Sequence, residues 1–349
     1  MGIELNILQA EHGDAICISY EFEGKIKNIL IDGGPAQAFE VQKVPRALKR
    51  FLDEIKQKEQ NIDLLVLTHV DDDHIGGILA GFNQFGYLSE ITKEVWFNSG
   101  KVIFNHFDKP LGDSNTVTLK NSSTSNTSIR QGIKLEEHLA NKNIWSQRLF
   151  KAGDEIDWFG SKFKILSPSL LKLEKLLVKW EKEKPNPNTS RRSNDYKASL
   201  EQLLEADCFQ EDNSIHNGSS LAFIFECFDK SILLLGDAHP SVVIESLKSL
   251  GFSEQNPLKI DYVKISHHGS KANTNSDLLK MIECQKFIIS ANGKHHALPN
   301  KLTLARIINN CPSANIMFNY PDLIHRIFTE QELNNGSFST ASCKSTIKL

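Results

Sequence analysis

With 349 residues, 40% of them hydrophobic and 24% charged, the chain has an ordinary globular composition and is long enough for one large core or two modest ones. A formal net charge of −3 excludes a global basic field, so any contact with nucleic acid must use a local patch. The N-terminus lacks a basic segment followed by an apolar run, and the apolar stretch around Leu221 to Leu235 is broken by Glu226, Asp229 and Lys230, so neither a signal peptide nor a membrane span is expected, and a cytoplasmic location is.

"IELNIL", "AICISYEF" and "IKNILIDGG" read as three successive strands, with Gly13 and Gly24 near the turns between them. Val44, Ala47, Leu48, Phe51 and Ile55 recur at helical spacing and predict a helix from about Val44 to Gln60. "IDLLVL" is the continuous apolar run of a strand covered on both faces, and "HIGGILAGF" opens the next helix with an aspartate cluster at its start. Two polar stretches, about 105–130 and 181–199, flank a hairpin strand in "WFGSKFKILSPS" and a helix in "LLKLEKLLVKWEKE". Residues 105–214 are therefore expected to be an insertion or elaborated edge within a single domain spanning 1–349, with its lysines, Arg191 and Arg192 forming a solvated face.

Order returns with two strands in "SSLAFIFECFDKSILLLGDAHP", a helix around Val242 to Leu250 and a strand in "IDYVKISHHGS". A helix near Leu278, a strand in "KFIISANGKHHALP" and a closing helix around Leu302 to Ile308 follow. Strands first, then strands mixed with helices, predict an α/β sandwich whose strand ends gather on one rim. Cys17, Cys208, Cys227, Cys284, Cys311 and Cys343 form no CxxC pair and read as small buried residues of a reducing compartment.

The acid and imidazole groups follow apolar strands: Asp32 after "NILI", His69, Asp71, Asp73 and His74 in "THVDDDHIGG", Asp237 after "ILLL", and His267 with His268 in "VKISHHGS". Gathered and buried, these carboxylates would repel one another unless cations sat among them, so bound metal is expected, two ions rather than one. An extended turn would place His69 and Asp71 on one ion and Asp73 and His74 on the other, with Asp237 arriving from a distant strand to bridge. Imidazole suits Zn, Fe or Mn, and a carboxylate-rich shell moves the preference toward Mn.

In this order "IDGG", "THVDDDHIGG", "LLLGDA" and "ISHHGS" resemble the metallo-β-lactamase superfamily. With "LQAEHGDAICISY" and "NGSSLAFIF" added, the chain resembles the branch containing the hydrolase domain of ComEC-type DNA-uptake proteins and its stand-alone relatives. The resemblance implies an α/β fold, an αββα sandwich here carrying a central insertion, with two divalent ions, Zn or Mn, on the rim between the sheets. It implies His69 and Asp71 at the first ion, Asp73, His74 and one of the His267/His268 pair at the second, and Asp237 at both. His267 is taken as the ligand of that pair, and Asp73, His268 and His296 as the catalytic groups. Asp14 and Asp32 match positions that orient the ligands from behind. Asp71 stands where most members of the superfamily have histidine, and His216 is the candidate by position for the histidine that usually completes the first site. His295 and His296 fall near the last metal-site strand. Gly76 and Gly77 are expected to let their helix pack closely beneath the site, and Ser270 to cap the following helix.

Such a site performs hydrolysis by a metal-activated water, and no GxSxG elbow offers a rival nucleophile. The expected reaction is that of a phosphodiesterase or nuclease, with nucleic acid or another phosphodiester as partner. The alternatives are a lactone, thioester or ester hydrolase of the same fold, and a regulatory protein that retains the fold and contacts a partner through the insertion.

Overall fold

Ile16, Ile18 and Tyr20 point to one side of their strand and Cys17 to the other, and this two-residue alternation decides the layers of the molecule. The computed structural model describes residues 2–107, 128–140, 142–180, 194–343 and 345–349. In chain order the strands of its two large sheets are β1 (Ile3–Ile7), β2 (Ile16–Phe22), β3 (Lys25–Ile31), β4 (Leu64–Leu67), β5 (Val95–Phe97), β6 (Glu155–Trp158), β7 (Ser161–Ser167), β8 (Ala222–Cys227), β9 (Lys230–Leu234), β10 (Tyr262–Lys264), β11 (Lys286–Ile289), β12 (Asn315–Phe318), β13 (Ser339–Ser342) and β14 (Ile347–Lys348). The first sheet has six strands in the order β14-β1-β2-β3-β4-β5, and the second has eight in the order β13-β12-β11-β10-β9-β8-β7-β6.

The two sheets face each other across an apolar core. Ile18, Leu64 and Val66 of the first meet Phe163, Phe223 and Ile232 of the second. The alternate residues point outward, where Leu65 and Leu67 are covered by helices Ala47–Gln57 and Asp72–Asn83 through Leu48, Leu52, Ile75 and Ile78. On the opposite face Ala222, Ile224 and Leu233 are covered by helices Pro240–Ser249 and Lys301–Asn310 through Val243, Leu247, Leu304 and Ile307. The result is the αββα sandwich expected from the sequence.

β3, β4 and β5 are parallel neighbours, as are β9 through β13. Their carboxyl ends therefore open on a common rim, the usual place for a site in layered α/β folds.

Several expectations are corrected. The helix begins at Ala47 rather than Val44, because Val44 precedes Pro45, which disfavours helical backbone at the residue before it; Val44–Pro45 instead pairs with Glu40–Val41. The strand in "KFIISANGKHHALP" stops at Ile289, and the chain continues past the helix at 301–310 into β12, β13 and β14. β13 reads Ser-Thr-Ala-Ser, an edge strand with too little apolar character to betray itself. Cys208 is exposed while the other five cysteines are buried. Within 105–214, β6 and β7 form the edge of the second sheet, and helix Ser128–Ala140 packs Ile129, Leu135 and Leu139 into the core beneath helix Asp72–Asn83. Residues 108–127 and 181–193, with Arg191 and Arg192, lie outside the described residues. No described helix is long and apolar enough to cross a membrane.

Candidate metal centre

Asp32 is the residue directly after β3 and has a left-handed backbone (φ 57°). Its Oδ1 accepts the Thr68 backbone N–H at 2.8 Å, and its Oδ2 accepts the Thr68 hydroxyl and the His74 Nδ1–H, each at 2.7 Å. Asp71 is extended, and helix Asp72–Asn83 starts immediately after it, so Asp73 and His74 lie in a first helical turn and not in the extended turn expected. Acidic residues suit that position, where unpaired backbone N–H groups carry partial positive charge. The helix can reach the rim because glycine faces glycine: a Cβ on Gly77 would lie 2.1 Å from the Gly33 carbonyl oxygen. Gly13 meets the same demand on the other side, where a Cβ would lie 1.9 Å from the Asp73 carbonyl oxygen.

Asp237, just beyond β9, is fixed by its own N–H donating to Ser220 Oγ at 3.0 Å. Its two carboxylate oxygens divide the cluster. Oδ2 stands 3.7 Å from His69 Nε2 and 3.7 Å from His267 Nε2, and Asp71 Oδ2 lies 3.8 Å from the same His69 nitrogen. Oδ1 stands 3.4 Å from His74 Nε2 and 3.9 Å from His268 Nε2, with Asp73 Oδ2 3.4 Å from His268 Nε2 and Asp73 Oδ1 4.0 Å from His74 Nε2. Two neighbouring sets result, His69, Asp71 and His267 in the first and Asp73, His74 and His268 in the second, with Asp237 in both.

The tautomers follow from what stands behind each ring. His268 Nδ1 can only donate to the Ser290 carbonyl at 3.0 Å, and His74 Nδ1 donates to Asp32, so when either ring is neutral its lone pair lies on Nε2, turned inward. The Nε2 atoms of His69, His74 and His268 and Oδ1 of Asp237 are buried without a hydrogen-bond partner. Buried acceptors left unpaired are costly, and a convergent group of them is what a divalent cation requires.

Electrostatics agree with this chemistry. Burial works against the charge on Asp237, yet His74, His267 and His268 hold its carboxyl well below the usual carboxylate range. Burial likewise opposes charge on His268, but Asp14 and Asp237 push it up to about 9, and Asp237 with Asp32 carries His74 well above its ordinary value. Against burial, His268 and His74 bring Asp73 down to about 2. Burial, with His74 beside it, lowers His69. The second set is thus an array of carboxylates neutralised by imidazolium, which a metal ion would replace proton for cation.

The placement of individual residues differs from the expectation in four respects. His268, expected as a catalytic group, stands with Asp73 and His74 among the candidate ligands of the second set, whereas His267 lies on the far oxygen of Asp237. These neighbours diverge because both have left-handed backbone (φ 47° and 53°), which turns their rings 73° from one another. His216, the candidate to complete the first site, meets Asp71 Oδ1 through its Nδ1 at 2.6 Å. Ser270 ends the short 3-10 turn, and the helix at 276–280 is capped by Asn275, whose Oδ1 accepts the Leu278 N–H at 2.9 Å. Asp14 backs the second set, 3.3 Å from His268 Nδ1, and is itself held by the buried Lys264 ammonium.

Lys264 and His12 were missed. Lys264 had a signal in the sequence, a lone charge inside an apolar strand. His12 had none beyond its place in "EHGDA". It stacks on His295 with ring centroids 4.0 Å apart, and both line a cavity of only about 10 Å³ over Asp73 and His268, with the exposed His296 at its edge.

Residues 13–139 match the family model described as the metallo-beta-lactamase superfamily. Comparison with curated proteins gives no match. Among solved structures the chain is similar to the metallo-beta-lactamase fold protein YhfI from Bacillus subtilis, at 9% identity over 100% of both chains with a TM-score of 0.42. It is also similar to Zn(2+)-bound PqqB from Methylobacterium extorquens, at 11% identity over 100% of both chains with a TM-score of 0.44. A diphosphatase from the PhnP family is similar at 12% identity over 99% of this chain and 97% of the other, with a TM-score of 0.42. The superfamily model spans the segment that carries His69, Asp71, Asp73 and His74, and the αββα sandwich around that segment agrees with the match.

Proposed function

We propose that the protein is a metal-dependent hydrolase of phosphodiesters, a phosphodiesterase or nuclease, working at a dinuclear site. The observation that carries this reading is Asp237, whose oxygens stand between two sets of inward imidazole Nε2 atoms. Divalent ions in that position would lower the pKa of a water and polarise the bond under attack. His69, Asp71 and His267 would hold the first ion, Asp73, His74 and His268 the second, and Asp237 both. Asp32 and the Ser290 carbonyl keep a proton on the outer nitrogens of His74 and His268, so that the inner nitrogens stay available. Zn or Mn suits this mixture of imidazole and carboxylate, with the three carboxylates favouring Mn.

A phosphodiester is supported by the resemblance of "LQAEHGDAICISY" and "NGSSLAFIF" to the DNA-uptake branch.

The test is cleavage of labelled single- and double-stranded DNA and RNA, and of a small aryl phosphodiester, with Mn, Mg or Zn, beside Asp73→Ala. Metal-dependent cleavage lost in the variant is the expected result. If the wild type holds metal but cleaves none of these, the phosphodiester reading fails and carboxylic esters and lactones become the substrates to try.

A further inference from the structure

Asp71 and His267 reach the first set from different sheets, yet one short segment stands behind both. His216 Nδ1 engages Asp71 Oδ1 at 2.6 Å, which leaves Oδ2 as the oxygen turned toward His69. Behind His267, Asp212 Oδ2 lies 3.7 Å from Nδ1 and accepts from Asn217 Nδ2 at 2.6 Å and Asn273 Nδ2 at 3.1 Å. Asn273 Nδ2 also donates to the Asp237 carbonyl at 3.1 Å, so the amide can only present its oxygen to His267 Nδ1, 2.8 Å away. His267 therefore carries its proton on Nδ1 and turns a bare Nε2 toward Asp237.

This support differs in kind from that of the second set, which rests on Asp32, on Asp14 and on the Ser290 carbonyl at the strand ends. The histidines also differ in exposure: His267 is 24% exposed against 2% for His268, whereas the carboxylates Asp71 and Asp73 are alike at 29% and 22%.

We propose that residues 212–217 are a positioning element that sets metal occupancy of the first centre independently of the second, with Asp212 and His216 as its positioning residues. The inference rests on the dinuclear reading above. Asp212 holds the Asn273 amide whose oxygen accepts the His267 Nδ1–H and places a negative charge 3.7 Å behind that ring, and His216 fixes which oxygen Asp71 presents.

The experiment is titration of the metal-free, full-length protein with Mn²⁺ by calorimetry, together with metal content after gel filtration. The wild type is expected to bind two ions. Asp212→Ala and His216→Ala are each expected to weaken one step by about 10- to 100-fold and to leave the other unchanged. Asp212→Asn, which keeps an oxygen for the two amides but loses the charge, is expected to fall between; it decides the matter if the alanine variant does not fold. Asp32→Ala is expected to weaken the other step. The inference is overturned if the 212 and 216 variants leave both steps at wild-type affinity or weaken both equally, and the dinuclear reading still stands in that case. A wild type that binds one ion or none overturns that reading and this inference with it.

Discussion

At the second centre His74 and His268 are backed by Asp32, directly after β3, by Asp14 in the β1–β2 connection and by the Ser290 carbonyl directly after β11. At the first, Asp71 and His267 are backed by the segment 212–217, whose His216 and Asn217 are buried, and by Asn273. Both arrangements meet at one carboxylate, Asp237. The difference teaches that similar ligand chemistry can be backed by strand-end residues in one set and by a separate capped segment in its neighbour. Strand-end groups are constrained by a core that cannot relax without cost.

The largest expected effect erases the comparison. Asp237→Ala removes the only group shared by both sets, so activity should fall to background and neither ion should survive gel filtration, as metal analysis would measure. Retention of two tightly held ions in that variant would mean that Asp237 does not bridge.

A change of pH should separate the two centres. His268 is pushed up to about 9 and His74 is raised, while His69 is lowered. Metal entering the second set must displace protons near neutral pH, and metal entering at His69 displaces none from that ring. Calorimetry in buffers of different ionisation enthalpy should show proton release with one binding step, diminishing as pH rises through about 9 while that step tightens. The metal-free protein should behave in the opposite sense. Because the folded pKa of His268 is raised, its stabilisation is fully present below its ordinary value near 6.5 and is lost as pH climbs through about 9, a fall that thermal unfolding would record. Equal proton release in both steps would deny the contrast.

The smallest expected effect lies outside both centres. His12→Ala should leave both binding steps unchanged and lower kcat/KM by about tenfold, roughly 1.4 kcal/mol, because the ring lines the cavity without facing Asp237. Altered metal affinity in this variant would bring His12 into the second centre.

Much of this architecture is legible in the chain. The alternation in Ile16 to Tyr20 and the unbroken apolar run at 64–67 predict one strand exposed to two different layers and another buried on both faces, and the packing agrees. The choice of Asp and His directly after apolar strands marks the rim. What was not legible includes the helical rather than extended backbone at Asp73 and His74 and the edge strands β13 and β14, whose short polar sequences carry too weak a period to be read.

The sequence by itself determined the layers and the roster of carboxylates and imidazoles, because periodicity and turn chemistry act over two to four residues and leave their mark locally. Only the tertiary structure decided which ring faces which oxygen of Asp237. That choice depends on left-handed backbone at His267 and His268 and on partners as distant as Asp71 with His216, 145 positions apart, and Asp14 with Lys264, 250 apart. Orientation of that kind is a property of packed neighbours and has no counterpart in the spacing of residues along a chain.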